Sequence, residues 1–123
     1  MIFRPELAAA VMAGRKTATR RLLSPNPRSP WFHDRCSIRV GQVIAICPGR
    51  GRHQIGKAMV TSVDRMALGW LSDAEAHSEG FETAAAFKEA WTAINGAHDP
   101  EAGVWRIGLR PVDLGEATRR MSA

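Results

Sequence analysis

Apolar residues repeat at helical spacing near the start of the chain, from Pro5 to Ala13. Leu7 and Val11 are four residues apart and predict a single buried stripe on this helix. Proline favours the first helical position, because the N–H that it lacks would have no helical partner there. Gly14 predicts the end of the helix, since glycine readily adopts the left-handed conformation that terminates helices.

Two further helices are predicted in the second half of the chain. The run Ser72-Asp73-Ala74-Glu75 has the pattern of a capping box and opens a short helix that ends near Gly80. Thr83 caps a third helix, which Asn95-Gly96 ends. One face of the third helix is apolar and contains Phe87, Ala90, Trp91 and Ile94.

Three other segments have the composition of β-strands. Val43–Cys47 is a continuous apolar run, which predicts a strand that is buried on both faces. A second strand is predicted over Ile55–Val63, with Gly56 as a candidate bulge. Val104–Val112 predicts the last strand, and the threonine-rich segment Lys16–Leu22 is also extended in character.

The order of these elements predicts an α+β fold. Helices and strands lack the βαβ rhythm of a doubly wound parallel sheet, so we expect a small mixed or closed β-sheet with about three helices packed on it. A proline-rich loop runs from Ser24 to Asp34. We assign residues 1–114 to one domain and 115–123 to a C-terminal tail. The core is expected to include Trp70, Trp91 and Trp105.

The chain carries an excess of positive charge. Its 123 residues include 17 lysines and arginines against 12 acids, which gives a formal net charge of +5. Basic residues concentrate around Arg15–Arg21 and Arg50–Lys57, whereas the acids lie mostly between Asp73 and Glu101. This separation favours one basic face and an anionic partner, nucleic acid first of all.

The sequence also bears on location and metal content. It contains no run of about 18 apolar residues, and its N-terminus lacks the basic and apolar regions of a signal peptide. We therefore expect a cytoplasmic protein without membrane contact, in which Cys36 and Cys47 are free thiols. The spacing of these cysteines with His33 and His53 matches no zinc pattern, so we expect neither a metal nor a cofactor.

The run Gly14–Leu22, with the sequence GRKTATRRL, resembles the signature of the ASCH domain, a branch of the PUA-like superfamily. Later features agree with it in the right order. Gly41–Ile44 resembles the family's turn into a central strand, and Glu79-Gly80-Phe81 resembles its acidic-Gly-Phe motif. The stretches Trp91–Gly96 and Val104–Ile107 resemble its closing segment. The resemblance therefore spans nearly the whole chain.

This resemblance implies a PUA-like β-barrel with helices around its mouth and an RNA-related role. Some small bacterial members are amidohydrolases that remove the acyl group from N4-acetylcytidine, a hydrolysis of a non-peptide C–N bond. In this sequence, the positions that match their catalytic residues are Lys16, Thr19 and Glu79. Other members are described as RNA-binding proteins or as ribonucleases, and both functions remain alternatives for this chain.

These three residue types suit amide hydrolysis. A threonine hydroxyl becomes a good nucleophile only when a base removes its proton. Lysine can act as that base when burial or neighbouring cations, here Arg15, Arg20 and Arg21, lower its pKa. Glu79 would orient the lysine or protonate the leaving amine, and backbone N–H groups after Gly14 would stabilise the oxyanion.

The spacing of Lys16 and Thr19 sets a geometric condition. Residues three apart point to opposite faces of a straight strand. The two side chains therefore meet only if the backbone bends between them.

A nucleoside or an RNA is the expected partner, and the sequence leaves the oligomeric state open. The residues that we expect to contact this substrate all lie in the two basic groups. They are Arg15, Thr17, Arg20, Arg21, Arg50 and Arg52.

Overall fold

The computed structural model describes residues 1–112, which form three helices and four strands. The helices are α1 (Pro5–Met12), α2 (Asp73–Ser78) and α3 (Ala84–Asn95), and the strands are β1 (Ala18–Leu22), β2 (Val43–Ile46), β3 (Gly56–Ala67) and β4 (Gly103–Val112). The α+β class predicted from the sequence is thus confirmed. The predicted tail, 115–123, lies outside the described residues.

The ends of the helices follow the chemistry that the sequence predicts. Gly14 has a φ of +78°, the left-handed conformation expected after α1. The hydroxyls of Ser72 and Thr83 accept hydrogen bonds from the N–H groups of Glu75 and Ala86, which caps α2 and α3. None of the helices within residues 1–112 has the length and apolar content needed to span a membrane.

The four strands form one antiparallel sheet in the order β1-β4-β3-β2. No strand pairing joins β1 to β2 among residues 1–112, so the closed barrel that we expected is an open sheet here. The N-terminal segment lies beside the end of β2 instead. Ile2 forms a parallel bridge with Cys47, and the Phe3 N–H donates to the Cys47 carbonyl at 3.0 Å. A gap therefore remains between this segment and the edge of β1.

Helices cover both faces of the sheet, because successive strand residues point to opposite sides. α1 and the N-terminal segment pack on one face, in a core that includes Phe3, Val11, Ile44, Val60, Ile107 and Leu109. α2 and α3 pack on the other face, in a smaller cluster that includes Phe87, Trp91 and Val104. The strand β4 contributes to both cores.

Two predictions about the strands are wrong. β2 alternates between half-buried and buried residues, because this edge strand packs against the core with one face only. The bulge in β3 lies between Val60 and Ser62 rather than at Gly56. Gly56 instead leaves room for the end of the Met12 side chain, which would have to move if a Cβ were present.

The predictions for the tryptophans hold for two of the three. Trp91 and Trp105 are buried, whereas Trp70 is 68% exposed and lies outside the core. The Trp70 ring is held at the surface by Lys88, whose Nζ is 4.9 Å from the ring centroid, and by the His98 ring at 5.0 Å. These contacts cover part of an aromatic ring that the core does not bury.

Replacing Ile107 by alanine should lower the free energy of unfolding by about 2–5 kcal/mol, because Ile107 is fully buried on β4. Urea unfolding followed by circular dichroism measures the loss. The matched control is Ile55→Ala, for which we expect a change below about 1 kcal/mol, since Ile55 is 48% exposed. Similar losses in the two variants would contradict this description of the core.

Candidate functional site

The backbone turns sharply between α1 and β1. The left-handed Gly14 ends the helix, and the N–H groups of Arg15 and Lys16 both donate to the Ala10 carbonyl, at 2.9 and 3.1 Å. Lys16 therefore lies before the strand and not within it. These hydrogen bonds also occupy the N–H groups that the sequence suggested for an oxyanion, so that expectation is wrong.

A backbone hydrogen bond connects this turn to the end of α2. The Thr17 N–H donates to the Ser78 carbonyl at 2.7 Å, so it too is occupied. The bend that Lys16 and Thr19 require is therefore present, and Lys16 is directed toward the residue that follows α2.

The Lys16 side chain is buried, with 2% of the residue exposed. Its Nζ donates to the carbonyl oxygens of Ala18 and Glu79, both at 2.8 Å, and to Oε1 of Glu79 at 3.2 Å. Three acceptors match the three N–H donors of an ammonium group. One amine thus joins the start of β1 to the end of α2.

One carboxylate, that of Glu79, binds two cations. Oε1 accepts from Lys16, and Oε2 accepts from Nη1 of Arg20 at 2.8 Å. Glu79 and Arg20 are both buried. Charged groups are stable at such depth only when they are paired and hydrogen-bonded, and each of these three groups has a charged partner.

Arg20 extends this network toward the surface. Its Nη2 donates to Oε2 of Glu75 at 2.8 Å, and Nε of Arg106 lies 3.6 Å from the same oxygen. The hydrogen bond from Arg20 lowers the pKa of the Glu75 carboxyl. Sequence patterns predict a role for Glu75 in the helix cap and make it the rival of Glu79 for the acid of the site. Its N–H does bond to Ser72, whereas its carboxylate forms an ion pair that local sequence patterns do not reveal.

Burial lowers the pKa of Lys16 below its ordinary value of 10.5. Glu79 opposes this shift through its charge and its hydrogen bond, while the charges of Arg21 and Arg20 reinforce it. Burial is the largest of these effects, so the amine loses a proton more readily than an exposed lysine does. Arg15, which the sequence named as a further neighbour, is exposed and is not among the groups that cause the shift.

β1 has one edge that faces away from β4. The Thr17 carbonyl accepts from the Leu109 N–H, and the Leu23 N–H donates to the Gly103 carbonyl. In an antiparallel pair the hydrogen-bonding groups alternate along the strand, so odd-numbered residues here pair with β4. The groups that face the other way are the N–H and C=O of Ala18, Arg20 and Leu22, and the Lys16 amine binds one of them.

Thr19 is buried on β1, opposite Ile107 in the register. Its hydroxyl forms no hydrogen bond with Lys16 or Glu79 within residues 1–112. It lines the same cavity as both of them. The three residues therefore line one cavity, although the Thr19 hydroxyl is not hydrogen-bonded to the other two side chains.

That space is a cavity of about 440 Å³ against the free edge of β1. Small-molecule sites commonly enclose about 300–1,000 Å³. Its apolar wall comes from the N-terminal segment, α1, α3 and Phe81, and includes Phe3, Leu7, Phe81, Phe87, Trp91 and Ile94. Its polar wall includes Arg4, Lys16, Thr19, Arg20, Arg21 and Glu79.

The cavity brings together five of the residues that the sequence singled out, Lys16, Thr19, Arg20, Arg21 and Glu79. The other four, Arg15, Thr17, Arg50 and Arg52, are exposed and do not line it. Charge clustering in a sequence reveals such residues but not the direction of their side chains.

Sequence reasoning missed Phe3 and Arg4, which precede α1 and line the cavity. The first residues of a domain are usually poorly fixed unless another element holds them. Here the pairing of Ile2 with Cys47 holds them, and no local pattern in the sequence indicates that contact.

The sequence matches no family model and no curated protein. Its fold resembles the ASCH domain from Lactobacillus crispatus JV V101, with a TM-score of 0.67 and 17% identity over 85% of this chain and 69% of that one. A DUF984 protein from Enterococcus faecalis V583 gives a TM-score of 0.59 and 23% identity, over 87% and 70% of the two chains. ASCH from Zymomonas mobilis gives 0.55 and 19%, over 97% and 75%.

These three solved structures are ASCH domain proteins and an ASCH-like DUF984 protein, as the sequence motif predicted. All three identities lie below 25%, so the likeness is one of fold. The chemistry of this chain has to be argued from its own residues.

Replacing Glu79 by glutamine should destabilise the protein by about 3–5 kcal/mol near neutral pH, because Lys16 and Arg20 lose the carboxylate that compensates their buried charges. Stability should then rise with pH. The pKa of Lys16 falls further without Glu79, so the unfolded chain binds more protons than the folded chain between that lowered pKa and 10.5. Urea unfolding at a series of alkaline pH values measures both effects.

The matched control for this variant is Glu82→Gln. Glu82 is exposed and has no ion pair within residues 1–112, so we expect a change of about 0.5 kcal/mol or less. A Glu79→Gln variant as stable as this control, or one whose stability falls over that pH range, would refute the described network.

Proposed function

We propose that this protein is an amidohydrolase that removes the acyl group from an N4-acylated cytosine nucleoside such as N4-acetylcytidine. One observation carries the proposal. A buried lysine with a lowered pKa, fixed by a buried glutamate, lines the same small cavity as a threonine. The ASCH domain fold is consistent with the motif resemblance that first suggested this reaction.

In the first half of the reaction, the Thr19 hydroxyl attacks the carbonyl carbon of the amide. Lys16 Nζ takes the hydroxyl proton through one water, because no direct hydrogen bond joins the two groups. The tetrahedral intermediate collapses, the bond between the acyl carbon and N4 breaks, and N4 takes the proton from Lys16. In the second half, water activated by Lys16 hydrolyses the acyl-threonine ester and restores the hydroxyl.

Glu79 acts in this scheme as the residue that positions the base. Both of its carboxylate oxygens are engaged, one by Lys16 and the other by Arg20, which restrains its side chain. Of the two roles that the sequence left open for Glu79, orienting the lysine therefore has the better support.

The oxyanion needs a donor other than the N–H groups that follow Gly14. The backbone N–H of Arg20 faces the free edge of β1 and comes directly after Thr19 in the chain. An N–H next to the nucleophile lies close to the oxygen that becomes charged. We therefore assign the stabilisation of the oxyanion to Arg20 N–H.

The apolar wall suits the flat base of the substrate. Phe81, Phe87 and Trp91 present aromatic surface to the cavity, and aromatic rings favour stacking and edge contacts with other rings. A cavity of this size accommodates a single nucleoside.

Two alternatives remain as outcomes of the tests below. An RNA-binding module or a ribonuclease would use the basic surface more than the cavity. The arginines that a polymer would contact there, Arg15, Arg50 and Arg52, lie outside the cavity, while Lys16 is buried within its wall. This separation favours a small substrate over a polymer.

We expect Lys16→Met and Thr19→Val each to lower kcat for N4-acetylcytidine by about 100-fold or more, since one removes the base and the other the nucleophile. Chromatography of released cytidine measures the rate, and circular dichroism checks that each variant is folded. The matched control is Lys88→Met, because Lys88 contacts the exposed Trp70 ring and lies outside the cavity.

Four results would count against this proposal. The unmodified protein releases no cytidine, or release persists in Lys16→Met. Alternatively, RNA cleavage is lost in that variant while N4-acetylcytidine is never hydrolysed, which selects the ribonuclease. Salt-dependent retention of RNA without any cleavage would select the binding module.

The pH dependence of kcat tests the role of the lysine directly. Neutral Lys16 accepts a proton and its ammonium form does not, so kcat should rise with pH through the lowered pKa of Lys16. In Glu79→Gln, this rising part of the profile should move to lower pH, because Glu79 raises that pKa. An unmoved profile would mean that another group supplies the base.

A further inference from the structure

The cavity carries more positive than negative charge. Among the described residues its lining has four cations, Arg4, Lys16, Arg20 and Arg21, and a single carboxylate, that of Glu79. That carboxylate is already paired with Lys16 and Arg20. Arg4 and Arg21 form no ion pair with any carboxylate of residues 1–112. Two positive charges of the wall are therefore left for a ligand.

Aromatic rings hold Arg21 in place. Its Cζ lies 5.1 Å from the centroid of the Phe3 ring and 5.7 Å from that of Trp31. One hydrogen bond joins Nη2 to the Ile2 carbonyl at 3.0 Å, and Nε is buried without an acceptor. A guanidinium has five N–H donors, so most of its hydrogen-bonding capacity is unused while its orientation is fixed.

Burial lowers the pKa of Arg21, and the more distant charge of Glu79 opposes that shift only in part. A half-buried guanidinium without a nearby anion is destabilised relative to one that is paired. A ligand that brings an anion to Arg21 forms a charge-assisted hydrogen bond with it. That contact compensates for the solvation that the guanidinium loses through burial.

Arg21 lies close to Lys16, because both side chains contact the Phe3 ring. Nζ of Lys16 is 5.7 Å from the same ring centroid, so both cations lie against one aromatic side chain. A ligand with its amide at Lys16 reaches Arg21 within the length of one nucleotide. Arg4 follows Phe3 in the chain and adds a second positive charge to this wall.

We propose that Arg21, assisted by Arg4, forms a phosphate subsite, and that the substrate is a phosphorylated N4-acylated cytidine rather than the neutral nucleoside. The identity of the base and of the acyl group rests on the proposed function. The phosphate subsite rests on the cavity alone. The phosphate belongs to a free mononucleotide or to an RNA strand, both of which present the same oxygens to a guanidinium.

Isothermal titration calorimetry with four ligands tests this subsite. The ligands are cytidine, its 5′-monophosphate, its 3′-monophosphate and the dinucleotide CpC. We expect at least one phosphorylated ligand to bind about tenfold or more tightly than cytidine. Arg21→Gln should remove this preference, so that the phosphorylated ligands bind it no more tightly than cytidine does. The matched control Arg65→Gln, which removes an exposed positive charge outside the cavity, should retain it.

A second measurement needs no variant and remains decisive if Arg21→Gln fails to fold. Inorganic phosphate should weaken the binding of the preferred phosphorylated ligand, whereas the affinity for cytidine should stay constant. Equal weakening of both would point to a general effect of ionic strength and would overturn the subsite.

The results separate the possible sources of phosphate and the two proposals. Tighter binding of a mononucleotide than of CpC identifies a free nucleotide, and the reverse identifies RNA. Equal affinity for all four ligands, undetectable binding of all four, or a preference that survives in Arg21→Gln overturns the subsite. Because titration needs no turnover, a failure to hydrolyse both N4-acetylcytidine and its phosphorylated form refutes the proposed function and leaves the subsite standing.

Discussion

Two buried cations, Lys16 and Arg20, share the carboxylate of Glu79, and the arrangement of the site depends on this contact. Removing three charged groups from water costs several kcal/mol per ion, which only close pairing and complete hydrogen bonding offset. Lys16 meets this requirement with two backbone carbonyls, those of Ala18 and Glu79, as well as the carboxylate. Because these carbonyls belong to distant parts of the chain, one amine fixes the end of α2 beside the start of β1.

The open sheet gives this network access to a ligand. A closed barrel would pair the outer edge of β1 with another strand and would occupy the backbone groups of Ala18 and Arg20. Here that edge borders a cavity instead, and the N-terminal segment with Phe3 forms the opposite wall. The same gap brings Thr19 and Arg21 to the lining from one strand. The departure from a closed barrel therefore creates the space in which chemistry is possible.

Sequence patterns predicted those features whose causes are local. The cap at Thr83 and the turn after α1 follow from the chemistry of neighbouring residues, and the motif resemblance led to the contact between Lys16 and Glu79 across 63 positions. The ion pair of Glu75 with Arg20 was not predicted, because it joins residues 55 positions apart and the helix cap was the role that local sequence showed for Glu75. Trp70 was placed in the core on its residue type, whereas its exposure depends on which surfaces the helices leave uncovered. Such features arise only when distant segments meet.

The contact that fixes Lys16 also opposes the role as a base that we propose for it. Glu79 stabilises the ammonium form, so a lysine held by this carboxylate alone would keep its proton. Two features counteract this stabilisation of the ammonium form by Glu79. Arg20 engages the other oxygen of Glu79 and adds a positive charge nearby, and burial penalises the charged amine more than Glu79 stabilises it. A neutral amine still has two N–H groups, which suffice for the carbonyls of Ala18 and Glu79 at 2.8 Å. Loss of the proton therefore gives up only the longer contact with the carboxylate, and Lys16 keeps its position while it becomes basic.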